Sequence, residues 1–442
     1  MKVLVIGCTH AGTAAIVNIT NMHPDAEITV YERNDNISFL SCGIALYVGG
    51  VVQDAGGLFY NSPENLAKSG VTTHMKHDVL AVDIARKIAH VKNLETGVEF
   101  SDSFDKLVIT TGSWPITPRI PGIDQKNILL SKNYNHAKTI IEKTPDAKKV
   151  VVVGAGYIGV ELVEAFRENG KEVVLIDALP RVLNKYLDAE FTREVEQTLQ
   201  EHQILLALGE CVTEFEGQDG AVTAVKTDKG RYEADLVILC IGFRPNTALF
   251  KGQLDMLPNG AIVVDEYMHT SHPDVLAGGD CCAVRYNPTG KTEYIPLATN
   301  AVRMGVLIAR NLKDKVLAHR GTQGTSGIRI FDLNIAATGM TEQSAKDAGL
   351  DVATTTVIDN ERPEFMPTYN QLRLKVVYEK GSRRILGAQV LSKADLTQSM
   401  NAVSVAIQSK LTIDDLALMD FFFQPHYNKP WNWLNAAGLA AL

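Results

Sequence analysis

Cysteine is scarce in this chain: six residues in 442, at Cys8, Cys42, Cys211, Cys240, Cys281 and Cys282, with no CxxC pair among them. That pattern excludes a disulfide framework and suggests no zinc site. It reads as a reduced, cytosolic protein in which most thiols are apolar filler. An excess of positive charge is also missing. Lys and Arg number 43 against 51 Asp and Glu, a net charge of −8. Phosphate backbones and anionic membranes are bound through surplus Lys and Arg, so neither is an expected partner. Long apolar runs are absent as well, since none approaches the roughly 18 residues of a membrane helix. The apolar opening from Met1 stops at Gly7, and polar residues follow by Asn18 to Asp25 without a clear cleavage site. A signal peptide is therefore not expected, and the chain reads as soluble.

What is present is a chain 45% hydrophobic, long enough at about 150 residues per domain for three domains. Two segments read as strand, tight glycine turn and helix. The first runs Lys2–Ile6, Gly7-Cys-Thr-His-Ala-Gly12, then helix from Thr13 towards Asn21; the second runs Lys149–Val153, Gly154-Ala-Gly-Tyr-Ile-Gly159, then helix over Val160–Asn169. Each is followed by an apolar strand ending in an acid, at Glu32 and Asp177. Further on, Asp105–Gly112 matches Ala234–Gly242 in pattern, and a proline follows each, Pro115 and Pro245. The internal similarity is two copies of a nucleotide-binding α/β domain.

Val275-Leu-Ala-Gly-Gly-Asp280 has no evident counterpart in the second copy and reads as the first domain resumed after an insertion. From about Gly327 the character changes to strand-like runs (Leu372–Tyr378, Ile385–Leu391), a helical stretch Leu396–Gln408 and the aromatic segment Phe421–Trp433. The expected fold is α/β, with two Rossmann-like dinucleotide-binding domains and an α+β C-terminal domain. The expected boundaries are residues 1–115 and 246–325 for the first domain, 116–245 for the second, and 326–442 for the third.

Glycines at a strand-to-helix turn let the backbone approach a pyrophosphate, and the helix N-terminus supplies N–H donors and partial positive charge. An acid ending the next strand accepts bonds from an adenosine ribose. Gly154, Gly156, Gly159 and Asp177 meet every part of that pattern. A carboxylate at Asp177 repels a 2′-phosphate, which predicts NADH rather than NADPH, with Arg181 the one nearby cation. The first site carries Thr9 in place of the middle glycine but keeps Glu32, and Asp280 adds a carboxylate suited to a sugar or ribityl hydroxyl. Two such domains imply two dinucleotides, most economically FAD and NADH, and hence hydride transfer.

Ser38-Phe-Leu-Ser-Cys42-Gly follows Glu32, and position 47 is tyrosine, so the CxxxxC dithiol of disulfide reductases is lacking. With Gly-x-x-His10-Ala-Gly before it, this single-cysteine segment resembles the NADH oxidase, NADH peroxidase and coenzyme A-disulfide reductase group of flavoproteins. The resemblance runs nearly end to end, through Thr110-Thr-Gly112, Gly-Tyr157-Ile-Gly, Arg244-Pro-Asn, Gly279-Asp280 and Leu297-Ala-Thr-Asn300. It implies that Cys42 is the redox cysteine, cycling between thiolate and sulfenic acid, and that His10 is the histidine near its sulfur. It implies FAD contacts at Gly7, Thr9, Ala11, Gly12, Glu32, Val79, Thr110, Thr111, Gly112, Ser113, Lys132, Asp280, Leu297, Ala298 and Thr299. It implies NADH contacts at Gly154, Gly156, Ile158, Gly159, Glu161, Asp177, Tyr186 and Gly242, with Tyr157 covering the flavin until nicotinamide arrives. Phe423 lies in the segment that reaches the partner subunit's flavin site in that family, so a homodimer follows, with FAD, NADH and no metal.

These roles suit the chemistry. The thiolate is the reactive form of cysteine, and a cation or helix N-terminus lowers its pKa; His10, before a helix, can supply that charge or relay a proton. Sulfenic acid is the reversible rung of cysteine oxidation, so one cysteine can reduce a peroxide without forming a disulfide. Three activities of the family compete. The C-terminal Phe-Phe-Gln-Pro-His426-Tyr-Asn-Lys-Pro-Trp resembles the oxidase and peroxidase branch rather than the coenzyme A-disulfide reductases, and His426 points towards oxygen. The expectation is a water-forming NADH oxidase with O2 as acceptor; peroxidase activity, with peroxide as acceptor, is the alternative. A flavin-bearing redox sensor is the non-enzymatic reading, and no partner motif supports it.

Overall fold

The computed structural model describes all residues, 1–442. Two five-stranded, fully parallel sheets are the centres of its first three-quarters, with smaller sheets beside them. In the first, the strand order is Val275–Ala277, Lys106–Ile109, Lys2–Ile6, Glu27–Glu32, Thr72–Met75. In the second it is Ile128–Leu130, Leu236–Leu239, Lys149–Val153, Glu172–Asp177, Ile204–Leu208. The central strands, such as Val3–Val5 and Val150–Val152, are wholly buried. Unbroken runs of valine, leucine and isoleucine suit a parallel sheet covered on both faces.

The two orders are superimposable, and this corrects one expectation. Val275–Ala277 does have a counterpart: Ile128–Leu130 occupies the same edge of the second sheet, beside Leu236–Leu239. It enters ahead of its sheet rather than behind it. A parallel edge strand is defined by its hydrogen-bonded neighbour and not by its place in the chain, so the permutation hides the equivalence.

The chain passes between the two sheets through short strands, Ser113–Pro115 and Phe243–Pro245, which pair antiparallel with Ser113 opposite Pro245. The two Gly-to-Pro echoes of the sequence thus meet each other. The third unit is an antiparallel sheet in the order Ser326–Ile330, Leu333–Gly339, Ile385–Ser392, Gln371–Glu379, Val352–Asn360. Helices Ser399–Gln408 and Trp433–Leu439 add Met400, Val403, Leu434 and Ala437 to its core. No helix is long and apolar enough to cross a membrane.

Both glycine-turn helices begin earlier than expected, at His10 and Tyr157, and run to Met22 and Glu168. The last glycine of each motif therefore sits inside the first helical turn, against its own strand. A Cβ on Gly12 would lie 2.2 Å from the Gly7 carbonyl oxygen, and one on Gly159 would lie 1.8 Å from that of Gly154. Only glycine allows this approach of helix to strand. The C-terminal helix starts later than expected, at Ser399.

Candidate active site

One continuous cleft of about 1300 Å³ runs between the two parallel sheets and against the C-terminal sheet. It collects most of the residues expected from sequence: Gly7, Thr9, His10, Ala11, Glu32, Cys42, Val79, Thr110, Thr111, Gly112, Ser113, Lys132, Asp280, Leu297 and Ala298 from one side. Gly154, Gly156, Tyr157, Ile158, Glu161, Asp177, Tyr186 and Gly242 line the other. Four do not line it. Gly12 and Gly159 are spent on the helix–strand contact, Thr299 follows Ala298 into its helix, and Phe423 lies exposed on the C-terminal segment with His426.

Three helices that open onto the cleft start without a capping side chain, at Thr9, Gly156 and Leu297, and none of the three has an acid in its first turn. Asn133 and Thr341 cap two further helices at the edge of the cleft, as Ser62 and Thr412 do away from it. Bare N–H groups and the positive helix end are what a pyrophosphate needs. A Cβ on Gly156 would meet nothing within 4 Å, so the second turn is an open cradle. Unpartnered buried polar atoms, His10 Nε2, Thr111 Oγ1 and Tyr294 Oη, also belong to cleft-lining residues. The donor set fits two dinucleotides.

Each strand-ending acid is fixed from behind. Glu32 is buried and accepts from the backbone N–H of Cys8 at 2.8 Å and of Asn34 at 2.9 Å. Burial raises its pKa, and those bonds offset part of the rise. Asp177 accepts from the N–H of Ala155 at 2.5 Å and of Leu179 at 2.7 Å. Arg181, the first cation after Asp177 in the chain, is bound to Glu196 at 2.6 Å. Across the cleft, Asp280 accepts from Ser113 Oγ at 2.9 Å and pairs with Lys132 at 3.2 Å. Lys132 also lies 4.7 Å from the centre of the Phe243 ring. Lys132 leads on from the displaced edge strand Ile128–Leu130 and Asp280 from its counterpart Val275–Ala277, so the two equivalent strands deliver the two halves of one ion pair.

Cys42 sits in a single turn, Ser41–Gly43, that leads into helix Ile44–Val48. Ser38, at positive φ (57°) and fully buried, sets the approach, exchanging hydrogen bonds of 2.7 and 2.8 Å with the Asn61 backbone. All six cysteines are free, and Cys42 opens onto the cleft. The electrostatics depart from expectation. Protein surrounds the sulfur closely enough that burial, then the Glu161 charge, pushes its pKa up, and Lys132 opposes this only in part. His10 supplies no cation, because burial lowers its pKa and leaves a neutral imidazole, with Asp280 and Lys132 acting in opposite directions.

Several functional neighbours come from positions with no sequence signal. Tyr60 Oη lies 3.0 Å from His10 Nδ1. Ser326 Oγ, from the C-terminal sheet, lies 2.9 Å from Tyr157 Oη, and the Tyr157 ring packs on Tyr186 with centroids 4.3 Å apart. Tyr60 and Ser326 lie 50 and 169 residues from their partners in sequence.

The pyridine nucleotide-disulphide oxidoreductase family matches residues 1–305, and its dimerisation domain matches residues 325–435. An NADH oxidase of Enterococcus faecalis is 59% identical over 443 residues, spanning 100% of this chain and 99% of that protein. An NADH oxidase of Lactococcus lactis subsp. cremoris is 40% identical over 446 residues, with 100% of both chains covered. Among solved structures, the water-forming NADH oxidase of Lactobacillus brevis bound to NADH superimposes with a TM-score of 0.98 at 53% identity, covering 100% of this chain and 98% of that one. With two matched sheets, two nucleotide cradles and Cys42 opening onto the cleft between them, the chain belongs to the pyridine nucleotide-disulphide oxidoreductase family, in its NADH oxidase group.

Proposed function

We propose that this FAD-dependent NADH oxidase reduces O2 fully to water, and that Cys42 performs the second half of that reduction. The observation that carries the reading is that Cys42 opens onto the cleft with a tyrosine, Tyr47, where a dithiol partner would stand. Bound FAD supplies the hydride acceptor for NADH and the electron path to O2. Around it, Glu32 and the start of helix His10–Met22 hold the FAD ribose and pyrophosphate, and Lys132, Ser113 and Asp280 form a polar wall along the same cleft. Asp177 and the start of helix Tyr157–Glu168 hold NADH, and Tyr157 must leave Tyr186 and Ser326 for nicotinamide to enter. The thiolate of Cys42 takes one oxygen from peroxide, becoming sulfenic acid and releasing water, and a second NADH returns it to the thiol.

The exposed Phe422, Phe423, Tyr427 and Trp431, in a segment matched by the dimerisation domain, support a homodimer in which Phe423 and His426 reach the partner's site. Six free thiols support a reducing, cytoplasmic setting. The reading is tested by oxygen uptake with NADH and peroxide assayed together. Four electrons per O2 require two NADH per O2 with no peroxide; one NADH per O2 with accumulating peroxide refutes it.

Cofactor choice gives a further test. At about 4 Å a carboxylate opposing a 2′-phosphate costs a few kcal/mol at an effective dielectric near 20, or about 100-fold in affinity. NADPH should therefore show kcat/KM about 100-fold below NADH. Asp177→Ala should narrow that gap mainly by raising the KM for NADH, whereas Arg181→Ala should leave it open, because Glu196 already holds that guanidinium.

A further inference from the structure

The structure pairs Cys42 with a carboxylate from the other nucleotide domain. Helix Ile44–Val48, which follows Cys42, packs on helix Tyr157–Glu168: Ile44, Ala45 and Val48 share a core with Val160 and Ala165. A Cβ on Gly49 would lie 3.3 Å from that of Ala165. Glu161 stands one turn after Tyr157 and one turn before Ala165, so it shares their face. It lines the cleft beside Cys42 and exerts the largest charge effect on the thiol, ahead of Lys132 and Asp280.

Glu161 has no hydrogen-bond donor or cation to hold it; burial first, and the neighbouring Glu164 second, push its pKa up to about 7. His10 is neutral and its Nδ1 is engaged by Tyr60. Two difficulties attend the reaction of Cys42 with peroxide. The thiol is protonated at neutral pH, and hydroxide is a poor leaving group unless it receives a proton. One carboxyl that is half-protonated near neutrality answers both.

We propose that Glu161 is the acid–base residue of the Cys42 peroxide step, taking the thiol proton and returning it to the departing oxygen. In the first half, the Cys42 thiol and the Glu161 carboxylate become thiolate and carboxylic acid. In the second, the thiolate attacks one peroxide oxygen, the O–O bond breaks, and the other oxygen leaves as water with the proton from Glu161. Cys42 is oxidised to sulfenic acid, one peroxide oxygen is reduced to water, and Glu161 is again a carboxylate. The other charged or titratable groups at this place are Lys132 and Asp280 across the cleft, Glu164 one turn along, and Tyr157 and His10, which are neutral.

The inference rests on Cys42 being the peroxide-reactive thiol, and two reagents separate the questions. Reduced holoenzyme is exposed near neutral pH to iodoacetamide, which needs only the thiolate, or to hydrogen peroxide, which needs the thiolate and a proton for the leaving oxygen. Cys42 alkylation, or sulfenic acid trapped with dimedone, is followed by peptide mass. In Glu161→Gln, loss of the negative charge lowers the thiol pKa, so alkylation should accelerate while peroxide oxidation slows about 100-fold. Glu161→Asp should recover most of the peroxide rate. If both reactions accelerate together in Glu161→Gln, or oxidation keeps its original rate, Glu161 acts only as a fixed charge and the inference is overturned. If Cys42 of the unsubstituted enzyme does not react with peroxide, the assignment of the thiol itself fails.

Discussion

Replacing Cys42 by serine should turn a water-forming oxidase into a peroxide-forming one, lowering NADH consumed per O2 from two to one. A serine hydroxyl has no counterpart to the sulfenic rung, so the second two-electron reduction loses its oxygen acceptor. Nothing in the NADH cradle depends on the thiol: Asp177 and the bare start of helix Tyr157–Glu168 hold the dinucleotide from the other domain. Hydride should still enter and O2 should still accept two electrons, now leaving as hydrogen peroxide. An oxygen electrode reads this directly. Catalase added after NADH is exhausted should return half of the consumed oxygen with Cys42→Ser and none with the unsubstituted enzyme. A ratio that stays at two NADH per O2 in Cys42→Ser would remove the cysteine from the reaction.

The parts of this site that were legible in the sequence are those in which neighbours in the chain are neighbours in space. Strand, glycine turn, helix and acid, Lys2 to Glu32 and Lys149 to Asp177, carry both nucleotide cradles within some thirty residues, so composition alone marks them. Their helices were expected to start three residues late, because a glycine that packs a helix on its own strand looks like part of the turn. The edge strand Ile128–Leu130 was missed because its partner, Leu236–Leu239, lies over a hundred residues away. The protonation chemistry was misjudged for a similar reason. The pKa of Cys42 is set by burial and by Glu161, which a different domain brings in, and His10 is discharged by the same burial. Tyr60 and Ser326 join the site through loops and sheets whose local sequence reports only their own folding.

The joint between the second sheet and the C-terminal sheet should fail when Lys375 is replaced by methionine. Lys375 is 4% exposed and pairs with Asp188 at 3.1 Å, Glu190 at 2.7 Å and Glu342 at 2.7 Å, one cation facing three carboxylates from two units. Burial pulls the ammonium's pKa down, but the bonds it donates to Glu190 and Glu342 and the Asp188 charge overcome this and raise the pKa above normal. Asp188 is itself buried, receiving Gln389 Nε2 at 2.7 Å and the Glu342 N–H at 3.0 Å. Removing one member of such a network leaves uncompensated charge, a loss of about 3–5 kcal/mol. Lys375→Met should therefore lower the thermal midpoint by several degrees, and Asp188→Asn added to it should restore part of the loss. The pH dependence has a definite sign. Glu342 has its pKa lowered by Lys346 and Lys375, so its contribution is present above the usual carboxylate range and lost as pH falls through the folded value. In Lys375→Met, acid protonates the stranded carboxylates, and the deficit against the unsubstituted enzyme should shrink as pH falls. Asp188 stands two residues after Tyr186, so a loosened joint should also displace Tyr186 from the NADH side of the cleft and raise the KM for NADH. A stability deficit that is the same in acid and at neutral pH would show that Lys375 contributes packing rather than charge.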